Sequence, residues 1–112
     1  MPLTRDFKET ILARIERDPD FRDELLREGI ECFLSGDLDT GKSILRDYIN
    51  ATIGFEKLSA LTNRPAKSLM RMLGPKGNPR AQNLFDVIAQ LQKAGRIRLR
   101  IHQKRDREKK AS

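Results

Sequence analysis

Tryptophan is absent from this 112-residue chain, tyrosine occurs once and phenylalanine five times. So few aromatic rings argue against a stacking platform for single-stranded nucleic acid. The single cysteine, Cys32, excludes an internal disulfide framework and any thiolate-based zinc site. No apolar run approaches the roughly 18 residues that a membrane span needs. The start, Met1-Pro-Leu-Thr-Arg-Asp, has no apolar stretch of signal-peptide type. A soluble cytoplasmic protein with no membrane partner is therefore expected. The length allows one domain and little more. With 38% apolar and 35% charged residues, the chain can bury a modest core beneath a strongly polar surface.

The net charge of +7 is unevenly divided. Residues 1–62 hold nine Lys/Arg against thirteen Asp/Glu, a net of −4. Residues 63–112 hold fourteen against three, a net of +11. A surplus of that size suits a polyanion. Eight of the fourteen bases lie between Arg96 and Lys110, where they could merely solubilise a tail. Arg64, Lys67, Arg71, Lys76 and Arg80 have no acid among them and are not part of that tail.

Apolar periodicity predicts an all-α, compact domain of five to six helices. Leu3, Phe7, Ile11 and Ile15 recur every four residues, the stripe of an amphipathic helix ending near Asp18. Asp18-Pro19 has the form of an N-cap followed by proline at the first helical position. A second helix follows, with Phe21, Leu25, Leu26, Ile30, Phe33 and Leu34 inward, and Gly36 stops it. A third begins near Asp39 with Ile44, Leu45, Tyr48 and Ile49 inward, and Gly54 is its expected C-cap. Two short helices come next. Phe55, Leu58 and Leu61 make the inner face of one, and Leu69, Met72 and Leu73 that of the other. Between them, Asn63 tolerates a left-handed backbone and Pro65 can open a helix but not sit inside one. Gly74-Pro75-Lys76-Gly77-Asn78-Pro79 is a loop. The last helix has Leu84, Phe85, Ile88 and Leu91 inward and stops at Gly95.

Arg96-Ile97-Arg98-Leu99-Arg100-Ile101-His102 alternates strictly, which is strand periodicity. A lone strand has no ladder partner within a helical chain. It must pair with another copy or another protein, or stay flexible. The preferred arrangement is an antiparallel ribbon across a two-fold axis of a homodimer, with Ile97, Leu99 and Ile101 packed on the helices. Residues 103–112 lack an apolar period and read as a disordered basic tail.

The stretch Gly54-Phe-Glu-Lys-Leu-Ser-Ala-Leu-Thr-Asn-Arg-Pro-Ala-Lys-Ser-Leu-Met-Arg-Met-Leu, with Asn78-Pro79 behind it, resembles the helix-turn-helix of the Cro/phage-repressor family. Leu58 and Ser59 take the usual Leu-Ala place, Asn63 the turn glycine, and Leu69 and Met72 the buried positions of the second helix. Pro79 matches the proline before the next helix, and Asn83-Leu84-Phe85-Asp86-Val87-Ile88 continues the likeness. The resemblance spans residues 40–95. It divides the chain into an N-terminal helical pair (1–37), a helix-turn-helix domain (38–95), a pairing strand (96–102) and the tail (103–112). Phe55, Pro65 and Leu73 depart from the family pattern, and the following loop is about one residue short. Ser68-Leu-Met-Arg-Met-Leu-Gly is especially similar to addiction-module antidote proteins, which repress their own operons as dimers and neutralise a toxin.

The resemblance implies a sequence-specific regulator of double-stranded DNA, a repressor on a pseudo-palindromic operator. The second helix of such a unit enters the major groove N-terminus first. Lys67 and Arg71, spaced i, i+4, share a face, and either could pair with guanine O6 and N7. Ala66 could pack on a thymine methyl, and Ser68 flanks the same face. Lys57, Arg64, Lys76, Asn78 and Arg80 are the candidate backbone contacts, which position without reading sequence. The same charges could instead be solvated faces of an ordinary α-hairpin. The acidic first half would face a basic toxin, or else simply complete the core or dimer interface. A protein-interaction module that neutralises such a toxin with little DNA binding is the alternative function.

Other sites read as absent. Asp37-Leu-Asp39-Thr-Gly41 opens like a calcium loop but puts Tyr48 where the bidentate glutamate belongs, so it is read as helix capping. Gly74-Pro-Lys-Gly lacks the spacing of a phosphate-binding loop. His102 has no ligand-spaced neighbour, and Cys32 falls in an apolar run. No enzyme activity, metal or cofactor is expected.

Overall fold

The computed structural model describes residues 13–106. The predicted inward positions Leu3, Phe7 and Ile11, and the last six residues of the basic tail, lie outside these. Residues 13–17 are helical. They are followed by α1 (Pro19–Leu34), α2 (Leu38–Ala51), α3 (Gly54–Thr62), α4 (Ala66–Met72) and α5 (Ala81–Gly95). The protein is all-α, and no strand occurs among the described residues.

Local chemistry sets the helix starts. The Asp18 carboxylate accepts from the backbone N–H groups of Asp20 at 3.1 Å and Phe21 at 3.3 Å, with Pro19 at the first helical position. This satisfies donors that have no partner inside the helix. The Arg14 guanidinium sits 4.4 Å from the Phe21 ring centre and ties the N-terminal helical turn to α1. Asp37 caps α2 by accepting from the Thr40 N–H at 3.2 Å. Three residues join α1 to α2, so the two run antiparallel, and the approach is close. A Cβ at Gly41 would meet the Phe33 ring at 2.6 Å.

One apolar cluster joins the elements: Leu26 of α1, Leu45, Tyr48 and Ile49 of α2, Phe55 and Leu58 of α3, Leu69 and Leu73 around α4, and Leu84, Val87, Ile88 and Leu91 of α5. Several predicted core positions are corrected. Phe85 is 62% exposed, while Val87 is fully buried. The inward stripe of α5 is 84, 87/88, 91, and Phe85 falls about 100° off it. Leu34 and Leu61 occupy the last turns of α1 and α3 and are exposed. Ile101 is 86% exposed. Gly54, expected as the cap of α2, instead opens α3 with φ +80°, after α2 ends at Ala51.

Beyond α5, Arg96 takes a left-handed conformation (φ 57°) and reverses the chain. The Ile97 N–H donates to the Gln92 carbonyl at 3.0 Å, and the Leu99 N–H to the Gln92 side-chain oxygen at 2.8 Å. Ile97 and Leu99 pack on the core, while Arg96, Arg98 and Arg100 face solvent. The alternation is thus realised by an arm lying on α5 rather than by a sheet.

Candidate nucleic-acid interface

The joint between α3 and α4 occupies three residues. Asn63 adopts φ 60°, ψ 35°, and its N–H donates to the Ser59 carbonyl at 2.8 Å. A β-carbon disfavours this conformation, and asparagine is among the residues that tolerate it best. The Arg64 N–H shares the Ser59 carbonyl at 3.3 Å, and the Ser59 hydroxyl donates to the Arg64 carbonyl. Pro65, at φ −60° and ψ 140°, breaks the helical path and accepts the first bond of α4, from the Leu69 N–H at 3.1 Å.

Seven residues make α4, far fewer than an isolated helix needs to be stable in water. Its inner face is Leu69, 1% exposed, with Met72 half-buried. Lys67, Ser68 and Arg71 point to solvent, and Ala66 is half-buried. Between α4, the following loop and the start of α5 runs a groove of about 540 Å³. Arg64, Ser68, Arg71, Lys76, Asn78 and Arg80 all line it, and no acidic residue does. Six of the nine candidate DNA-binding residues therefore share one concave, positively charged surface. Lys67 and Ala66 lie outside the groove on the same helix, and Lys57 stands apart on α3.

Arg64 does more than line the groove. Its guanidinium donates to Asn83 Oδ1 at 2.6 Å and to Asp86 Oδ2 at 3.1 Å, binding the turn to α5. At the other end of α4, Arg46 donates to the Leu73 carbonyl at 2.9 Å, and Lys42 to the Gly77 carbonyl at 2.7 Å. Sequence reasoning assigned no role to Lys42 or Arg46. Their i, i+4 spacing on α2 was visible, but their partners lie 35 and 27 residues away.

Comparison with family models, with curated proteins and with solved structures gives no match. Among the described residues, no group of His, Cys, Asp or Glu is placed to hold a metal ion, and no helix is long and apolar enough to cross a membrane. Burial pushes the Cys32 thiol above its usual range, and the nearby Asp37, Glu28 and Glu31 carboxylates add to the shift. That is the opposite of what an activated thiolate requires.

Proposed function

We propose that the protein is a sequence-specific binder of duplex DNA that acts as a transcriptional repressor, with α3 and α4 as a helix-turn-helix and α4 as the reading helix. The observation that carries this reading is the pairing of exposed Lys67 and Arg71 with buried Leu69 on a short helix beside an all-basic groove. Such a helix presents two donors to base edges while its opposite face stays fixed in the core. Lys76, Asn78 and Arg80 then meet phosphates. On this reading the protein is a homodimer whose 96–102 arms pair as strands, matching a pseudo-palindromic operator. It also serves as an autoregulating antidote with a basic toxin as partner.

The toxin-neutralising alternative is favoured by one surface. Leu34 and Leu38 are exposed at the α1–α2 corner, which also carries Glu31, Asp37 and Asp39.

Selection from random duplexes tests the main reading. Wild type is expected to enrich a two-fold symmetric site with half-sites about one helical turn apart. Arg71→Ala is expected to lose discrimination at one base pair per half-site, worth about 1–3 kcal/mol. Equal loss on every sequence would refute base reading by Arg71.

A further inference from the structure

Lys42 is 5% exposed; its ammonium donates to the Gly77 carbonyl at 2.7 Å and lies 3.7 Å from the Asp39 carboxylate. The Asp39 side chain is itself 91% exposed. An ammonium held out of water this way is costly, and a methionine of similar length would fill the space without that cost. What the ammonium does is directional. One turn along α2, Arg46 holds the carbonyl of Leu73, the C-cap of α4, at 2.9 Å. The two cations thus face the carbonyl-rich C-terminal end of α4, where positive charge is favourable.

The loop between these two carbonyls is folded tightly under α4. The Gly77 N–H donates to the Gly74 carbonyl at 3.0 Å, and the Gly74 N–H to that of Arg71 at 3.1 Å. A Cβ on Gly77 would sit 2.3 Å from the carbonyl oxygens of Arg71 and Met72. Gly77 therefore lies against the last turn of the helix that carries Arg71. Whatever holds Gly77 also fixes where that turn points.

We propose that Lys42 and Arg46 are positioning residues. They clamp the C-terminal end of α4 and its loop to α2, and so set the angle at which Arg71 is offered to DNA. This rests on α4 being the reading helix. Neither residue needs to touch DNA. Lys42 is buried, and both charges are directed at backbone carbonyls.

Lys42→Met and Arg46→Met test this in three measurements on the full chain. Both variants are expected to keep a melting temperature within a few degrees of wild type. They should bind the duplex selected by wild type about ten-fold or more weakly, the scale of a lost hydrogen bond to a charged group. The slope of affinity against salt should not change, because that slope counts neutralised phosphates. Arg46→Lys, which keeps a donor, should recover most of the affinity. Amide exchange at Gly74 and Gly77 in the free protein should accelerate about ten-fold in the Met variants.

Wild-type affinity together with unchanged exchange in both variants overturns the proposal. So does weaker binding with a shallower salt slope, since that marks a phosphate left without its cation rather than a helix that has lost its aim. If Lys42→Met fails to fold, the half-buried Arg46→Met carries the same readouts. If wild type selects no sequence, the DNA reading of α4 falls, and the exchange rates of the free protein decide the clamp by themselves.

Discussion

Gly77→Ala should be among the most damaging single-methyl additions in this protein. The added Cβ would lie 2.3 Å from two backbone carbonyl oxygens and 2.7 Å from the Met72 carbonyl carbon. None of these is the movable end of a side chain. Relief requires the loop to withdraw from α4 by about 1 Å, at an overpacking cost of about 1–3 kcal/mol. That shift also strains the bonds of Gly77 to Lys42 and Gly74, each worth about 1 kcal/mol. A total near 2–4 kcal/mol follows, or a fall in melting temperature of about 10–20 °C for a domain of this size. Gly36→Ala is the control. Gly36 has φ +90° and nothing within 4 Å of a Cβ, so it carries only the left-handed penalty of about 1–2 kcal/mol. Thermal unfolding followed by circular dichroism compares the two. If Gly77→Ala melts no lower than Gly36→Ala, the loop is not packed under α4 in the way that carries the positioning argument.

Three further outcomes are expected. Removing residues 103–112 should weaken DNA binding equally on all sequences and reduce the salt slope by about 0.9 for each phosphate no longer neutralised; complete loss of binding in a gel-shift titration would place the affinity in the tail instead. Arg64→Gln should lower the melting temperature while leaving the salt slope unchanged, because its guanidinium is engaged by Asn83 and Asp86; a slope smaller by about 0.9 would show that it meets a phosphate. Burial, the main cause, raises the Tyr48 hydroxyl pKa, with Asp23 adding to the rise and Arg22 opposing it. The folded state therefore keeps its proton longer than the unfolded chain, and stability drains away as pH climbs past about 10. Tyr48→Phe lacks this loss, so its melting temperature relative to wild type should rise between about pH 9 and 11; a constant difference would contradict the assignment.

What was legible in the sequence was local. Asp18-Pro19 announces an N-cap because the carboxylate and the ring act within three residues of themselves. Asn63 and Pro65 announce a tight joint for the same reason, and both take the expected backbone conformations. Apolar stripes placed most of the core, since a period of 3.6 residues needs no knowledge of the neighbouring element. The failures share one cause, which is that the deciding partner lies outside the pattern being read. Phe85 and Val87 compete for the inner face of α5, and the position of α5 against α3 settles which is buried. The arm at 97–101 alternates like a strand, yet the acceptors that hold it are the carbonyl and side chain of Gln92, five to seven residues back. Lys42 and Arg46 resemble any other bases on a helix until the loop carrying their carbonyl partners folds beneath α4.

Charge count and binding capacity therefore come apart in the basic half of the chain. Arg64, Lys67, Arg71, Lys76 and Arg80 look equivalent as a run of cations without an acid among them. In the fold, Arg64 is tied to a carboxylate and an amide of α5, while the other four remain exposed. Lys42 and Arg46, which belong to the net-negative half, act on the same helix from behind. A helix of seven residues cannot hold its own direction, so an interface built on it needs two classes of cation. One class faces outward to meet a polyanion. The other is engaged by backbone carbonyls and a carboxylate at the two ends of the helix, where it keeps the first class aimed. Adding lysines to the outer surface would raise general affinity and its salt dependence. Only the inner class can sharpen the difference between one sequence and another, because discrimination depends on the angle at which Lys67 and Arg71 arrive.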